Sequence, residues 1–392
     1  METTVLLSGI RTPIGAFGGA LSSLTAPQLG AVAIKAAVEK SGLNPEDIDE
    51  VLFGQVLQGG VGQAPARQAA LGAGLPKSVP CTTVNKVCGS GMKALMMAAQ
   101  AIGCGDAKFV VAGGMESMSQ APYFSPNART GLRMGDAKFI DMMIHDGLWD
   151  PYSQVHMGTC GDLCARELNY SREQIDEYAA ESYRRALAAQ EKCLFSEEIV
   201  AVPVPQRKGD PVMVEKDEEP GKGDISKLAG LRAAFDKDGV TTAGNASSID
   251  DGAAAIVAAS ATAAAERGLK PLAKVVAYAQ HAQEPQWFTT APAEAIQKAL
   301  AKANLKVEDI DVWEVNEAFS VVAMNVADKV GIPYDRLNVN GGAVALGHPI
   351  GMTGARLILT AMHELRRRGG RYALATPCIG GGEATAVIIE SV

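Results

Sequence analysis

Ala33-Ile34-Lys35-Ala36-Ala37-Val38-Glu39-Lys40-Ser41-Gly42-Leu43-Asn44-Pro45-Glu46-Asp47-Ile48-Asp49 returns 262 positions later as Ala295-Ile296-Gln297-Lys298-Ala299-Leu300-Ala301-Lys302-Ala303-Asn304-Leu305-Lys306-Val307-Glu308-Asp309-Ile310-Asp311. Ile34, Ala37 and Val38, like Ile296, Ala299 and Leu300, fall at helical spacing, so each copy predicts a helix with one apolar face. Each Glu-Asp-Ile-Asp leads into a short apolar run, Val51-Leu52-Phe53 or Val312-Trp313-Glu314-Val315, of strand length and β-rich composition. The echo resumes at Cys88-Gly89-Ser90-Gly91-Met92 and, 260 positions on, at His348-Pro349-Ile350-Gly351-Met352. Both open Ala- and Leu-rich helical stretches that end in glycine and enter residues 108–114 and 372–375, which read as buried parallel strands. The class is α/β, with two similar βα halves at residues 1–119 and 246–392 flanking an insertion at 120–245.

The insertion is of another kind. Pro126-Asn127, Asp150-Pro151 and residues 208–211 are turns, residues 172–192 predict a charged amphipathic helix, and residues 216–222 are polar. Inserted into paired α/β units, such a segment can reach over the strand ends as a binding lid, or merely decorate the surface.

Composition narrows the function classes. With 36 Lys and Arg against 44 Asp and Glu the net charge is −8, which excludes a dedicated nucleic-acid binder. No run of 18 apolar residues occurs and the N-terminus has no targeting signature, so the chain reads as soluble, cytoplasmic and without a membrane partner. Seven cysteines with no CxxC pair read as reduced thiols, and Cys160 and Cys164 lack the company a zinc site needs.

Cys88 stands between the extended Thr82-Thr83-Val84 and the helix opened by Gly89-Ser90-Gly91. A helix N-terminus draws a thiol pKa from ~8.5 toward neutrality, and the flanking glycines let a carbonyl approach backbone amides. A lone cysteine is more often an inert core residue. His348, however, occupies the matching position of the second copy, so a pseudo-twofold arrangement would bring the two face to face as nucleophile and base. Asn316-Glu317-Ala318-Phe319 and Cys378-Ile379-Gly380-Gly381-Gly382 follow strands of the second copy and would end on the same rim.

Together, residues 85–91, Asn316-Glu317-Ala318-Phe319, Gly347-His348-Pro349-Ile350-Gly351 and residues 378–382 resemble the thiolases over nearly the whole chain. The likeness is greatest to the biosynthetic, potassium-activated mitochondrial type, through residues 57–60, Met115-Glu116-Ser117-Met118, Trp313-Glu314-Val315 and residues 351–356. The resemblance implies a duplicated fold in five α-β-α-β-α layers. It also implies an acetyl-CoA C-acetyltransferase that joins two acetyl-CoA into acetoacetyl-CoA, or cleaves it in reverse. Cys88 then resembles the nucleophile, His348 its base, Cys378 the second acid/base, Asn316 a water-holding oxyanion group, and Gly380 an oxyanion amide.

Coenzyme A, a substrate and not a tightly bound cofactor, is implied to meet Leu148, His156, Met157, Leu231, Phe235, Tyr183, Ala243, Ser247, Ala318 and Phe319, with Lys222 and Lys227 at its phosphates. A potassium ion is implied at Tyr183, Ala243, Gly244, Ala246 and Val344. The resemblance implies a homotetramer, with a dimer as the alternative. Residues 281–292 depart from the usual loop of the family, so Trp287-Phe288 either narrow the acyl pocket or anchor the loop. A β-ketoacyl synthase would carry a histidine where Asn316 stands. A degradative thiolase for longer chains and a non-catalytic acyl-CoA binder are the other readings.

Overall fold

The computed structural model describes residues 2–392. In chain order the main elements are β1 (Thr4–Arg11), α1 (Ala26–Ser41), β2 (Glu50–Gly54), α2 (Pro65–Gly72), β3 (Cys81–Val84), α3 (Ser90–Cys104), β4 (Phe109–Ser117), α4 (Met157–Glu167), α5 (Arg172–Glu191), β5 (Asp250–Ser260), β6 (Ala273–Ala282), α6 (Ala291–Ala303), β7 (Val312–Val315), α7 (Ser320–Val330), α8 (Ile350–Arg368), β8 (Tyr372–Thr376) and β9 (Glu383–Ser391).

The 262-residue echo is kept in three dimensions. α1 and α6 bury Ala33, Ile34, Ala37, Val38 and Ala295, Ile296, Ala299, Leu300 at matching positions. Both stop on a left-handed residue, Gly42 (φ 78°) in one copy and Asn304 (φ 53°) in the other, the two residue types that adopt this conformation most readily. The shared aspartate has one task in each half. Asp49 Oδ2 accepts the N–H of Lys108 and Phe109 at 2.7 and 2.9 Å, and Asp311 Oδ2 that of Arg371 and Tyr372 at 2.7 and 3.1 Å. Each carboxylate thereby ties the start of one strand to its neighbour.

The strands run β7-β8-β9-β6-β1-β5-β4-β2-β3, and within the sheet the halves are joined where β1 pairs with β6, Val5 with Lys274 and Leu6 with Ala273. α1 and α2 cover one outer face, α6 and α7 the other, and α3 and α8 fill the space between, each layer with its own apolar cluster. This is the five-layer arrangement.

Two expectations change. β4 and β8 are parallel only to β2 and β7; on the other side each is antiparallel, to β5 and β9. A helical crossover delivers a parallel strand, whereas the short turn after β8 can return only antiparallel. Second, β5 pairs with β1 and β4, so it completes the first half, and the boundary read at residue 246 moves beyond β5. The insertion therefore interrupts the first half instead of joining two halves.

α3 and α8 cross backbone to backbone. A Cβ on Gly91 would stand 2.8 Å from the Ala355 nitrogen, and one on Gly354 2.5 Å from that of Met92. Only glycine permits this approach, and it brings the N-terminal ends of the two helices, with Cys88 and His348 just before them, to one place.

Candidate active site

Cys88 sits on a strained turn. Val87 takes φ 46°, unfavourable for a β-branched residue, and is held there by Asn85 Oδ1, which accepts its N–H at 3.0 Å, and by Ser90 Oγ, which donates to its carbonyl at 2.6 Å. The turn leans on the second half, for a Cβ on Gly89 would strike Ile379 at 2.3 Å. Cys88 is thereby set beside Cys378, close enough for their charges to interact. The N–H of Gly380 and its own main-chain N–H face its sulfur, the two amides to which the sequence reading gives an oxyanion role.

The thiol itself differs from expectation. Burial pushes Cys88 up to about 11, with the Glu116 carboxylate adding to the rise, and the two amide donors offset only part of it. Cys88 lies ahead of the helix, whose N-cap is Gly89. The positive end of a helix acts over the first turn and cannot outweigh the loss of water there.

His348 is buried and held down to about 3, first by burial and then by the nearby Arg356 charge, so the imidazole is neutral. Its main-chain N–H donates to Asp250 Oδ2 at 2.7 Å, its Nδ1 lies 2.6 Å from Thr353 Oγ1, and its Nε2 lies 3.4 Å from Asn316 Nδ2. Asn316 also faces the Cys378 sulfur. Its Oδ1 is buried without a protein partner, the acceptor a positioned water would use. Cys378 is buried, and desolvation and the neighbouring Cys88 push its thiol well above the usual range, against N–H donors from Ala318, its own main chain and Asn316. Five groups from both halves thus converge, as sequence spacing anticipated.

A cavity of about 180 Å³ opens onto Cys88, His348 and Gly380. The insertion supplies Gly147, Leu148, His156, Met157 and Phe235 to its walls. His156 stacks on Phe235 with ring centres 4.5 Å apart, and Phe235 meets Phe319 edge-on at 6.1 Å. Ala246, Ser247, Ala318 and Phe319 complete the lining. The aromatic, apolar walls suit an acyl chain and a pantetheine arm.

The remaining expected contacts lie elsewhere. Tyr183, Lys222, Lys227, Leu231, Ala243 and Gly244 line a separate groove of about 330 Å³. Tyr183 is pushed to about 12 by burial and by Glu219, Asp250 and Glu317. Ala246 faces the inner cavity instead, and Val344 is buried with its N–H turned to Glu317 Oε2 at 3.1 Å. A larger groove of about 800 Å³ beside Tyr178 and Glu181 contains neither thiol nor imidazole, and its Glu173, Glu177, Glu181 and Asp328 walls oppose a polyphosphate.

Phe288, 2% exposed, lines the cavity, while its neighbour Trp287 lines an outer groove. Sequence reasoning left three other contributors without a role. Asp250 and Thr353 hold His348, and Glu116 accepts the N–H groups of Val56, Leu57 and Gly351 at 3.0, 3.1 and 2.9 Å, stitching the two halves beside Cys88. Glu116 and Thr353 lie inside quoted motifs, and that placement was the available signal.

Comparison with known proteins agrees with this geometry. A family model described as thiolase, N-terminal domain, matches residues 4–262, and one described as thiolase, C-terminal domain, matches residues 269–391. The chain is 50% identical over 391 residues to the acetyl-CoA acetyltransferase of Cupriavidus necator, covering 100% of both. It is 52% identical over 382 residues to acetyl-CoA acetyltransferase 2 of Arabidopsis thaliana, covering 97% of this chain and 95% of that one. The acetyl-CoA acetyltransferase of Chromobacterium violaceum is 51% identical over 392 residues, 100% of both.

Proposed function

The chain belongs to the thiolase family, and we propose that it is an acetyl-CoA C-acetyltransferase, converting two acetyl-CoA into acetoacetyl-CoA and CoA and running the reverse cleavage. The observation that carries this is an apolar cavity onto which the Cys88 thiol and the neutral His348 imidazole open, one from each half, with the Cys378 thiol beside Cys88.

Cys88 attacks the thioester carbonyl as His348 takes its proton, and the departing CoA sulfur takes that proton back from the imidazolium, leaving acetyl-Cys88. Cys378, its own proton passed to His348, then removes a proton from the methyl carbon of a second acetyl-CoA. The resulting carbanion attacks acetyl-Cys88, a carbon–carbon bond forms, and the Cys88 sulfur leaves with the proton held by the His348 imidazolium. The amides of Cys88 and Gly380 stabilise the oxyanion at the acyl-enzyme, and Asn316 with His348 the enolate oxygen. Asn316 in place of a second histidine disfavours decarboxylative condensation.

Incubation with radioactive acetyl-CoA tests the assignment. Cys88→Ala should acquire no label, and Cys378→Ala should acquire label without condensing it. Label retained by Cys88→Ala overturns the nucleophile, and equal loss of both steps in Cys378→Ala overturns the second acid/base.

Finer points of the reading draw on other observations. Potassium activation is favoured by the carboxylates around Tyr183, with Ala243 and Gly244 in the same groove. If bound, the ion would neutralise that cluster, and potassium titration of activity with Tyr183→Phe as comparison tests it. Lys222 and Lys227, both exposed, are proposed phosphate contacts. A homotetramer is favoured by the exposed Tyr123, Leu132, Met134, Phe139 and Tyr152 of the insertion, and sedimentation tests it. Seven free cysteines favour a reducing, cytoplasmic location.

A further inference from the structure

A neutral imidazole can take a thiol proton only through the nitrogen that does not already carry one. The placement of that single proton decides whether His348 is a base. We propose that Thr353 is the positioning residue that makes the choice, holding the proton on Nδ1 so that Nε2 presents its lone pair to the site. This deepens the thiolase reading and rests on it for its catalytic consequence.

Thr353 lies in the first turns of α8 and is 1% exposed. Its Oγ1 has two neighbours, His348 Nδ1 at 2.6 Å and the carbonyl of Pro349 at 2.9 Å. A hydroxyl has one proton to give, and a carbonyl can only accept. The hydroxyl proton therefore goes to Pro349, as threonine commonly does within a helix, and its lone pair receives Nδ1–H. On the other side of the ring Nε2 faces the Asn316 amide nitrogen at 3.4 Å. That nitrogen is an amide NH2, which can only donate. A donor facing Nε2 matches an unprotonated nitrogen; the other tautomer would set N–H against N–H.

The ring has no means of exchanging its two nitrogens by loop movement. Asp250 Oδ2 holds the His348 N–H at 2.7 Å and Glu116 Oε2 holds the Gly351 N–H at 2.9 Å, so the first half grips the segment on both sides of the ring.

The test uses the full-length protein labelled with ¹⁵N-histidine, together with Thr353→Val and Thr353→Ser. In the wild type the His348 resonances should show a protonated Nδ1 and a bare Nε2. Thr353→Val, of the same shape but unable to accept, should acetylate Cys88 about 10- to 100-fold more slowly, the usual cost of orphaning a buried donor. Its KM should stay unchanged, and its ring should lose the pure Nδ1–H signature. Thr353→Ser should restore both. A wild-type His348 protonated on Nε2, or a Thr353→Val chain acetylating at the wild-type rate, overturns the proposal. If the wild type takes up no acetyl group, the thiolase reading fails instead, while the resonances still decide the tautomer. Should the valine chain not fold, the wild-type resonances and the serine chain decide alone.

Discussion

Replacing His348 by asparagine should change the pH dependence of Cys88 chemistry in kind as well as in rate. Burial lifts the thiol to about 11 and lowers the imidazole to about 3, eight units apart. Forming thiolate and imidazolium from the neutral pair therefore costs about 11 kcal/mol if each is charged alone. A contact ion pair near a protein surface recovers only about 4 kcal/mol, so the resting site holds a neutral thiol beside a neutral imidazole across the working pH range. His348 then acts while the sulfur attacks, not by preparing a thiolate beforehand. Wild-type acetylation in a single turnover should be nearly flat between about pH 5 and about pH 9. The amide side chain of His348→Asn cannot take the proton, which leaves only the fraction of sulfur ionised by solvent, about one part in ten thousand at pH 7 for a thiol near 11. The variant should be slower by about 10²- to 10⁴-fold at pH 7 and should recover about tenfold per pH unit as the medium becomes alkaline. Alkylation by iodoacetamide should follow the same two profiles. A wild-type inflection between about pH 6 and 8, or a flat profile in the variant, would refute the neutral-pair argument.

Three other outcomes follow from the same geometry. Phe288→Ala opens the end of a cavity of about 180 Å³; with burial of each methylene contributing about 0.8 kcal/mol, kcat/KM for longer 3-ketoacyl-CoAs should rise about fourfold per added carbon relative to acetoacetyl-CoA, and an unchanged chain-length profile would place the limit elsewhere. Gly354→Ala puts a methyl 2.5 Å from the Met92 nitrogen, so it should cost several kcal/mol of stability and displace Cys88 from His348, whereas Gly103→Ala, with open space around it, should stabilise α3 by about 0.5–1 kcal/mol; equal melting shifts would show that the helices do not cross as described. His348, lowered from 6.5 to about 3, contributes stability that is complete above pH 6.5 and is lost as pH falls toward 3; by pH 5 the loss is about 2 kcal/mol, and denaturant titrations should find it missing from His348→Asn.

What could be read before folding, and what could not, divides along a physical line. The repeat was legible because it is local: the helical spacing at Ile34 and Ile296 and the Glu-Asp-Ile-Asp that closes each copy are each set within a few residues. The meeting of Cys88 and His348 was legible at one remove, since they hold equivalent positions of a duplicated unit, and the approach of Asn316 and Cys378 because both follow strands of the second copy. The place of β5 was not, because the whole insertion separates it from β4, and nothing in an Ala-rich run announces which sheet it will enter. The thiol's character was misread for a related reason. A helix N-terminus is visible in sequence, but the burial that outweighs it depends on distant segments closing on the site, with Ile379 against Gly89 and Met157 and Phe288 in the cavity wall. Thr353 shows the same limit at its finest grain. Its distance of five residues from His348 was plain, but only the 2.6 Å and 2.9 Å contacts reveal that its one proton is already committed, which makes an ordinary helix threonine bear on the direction of proton transfer.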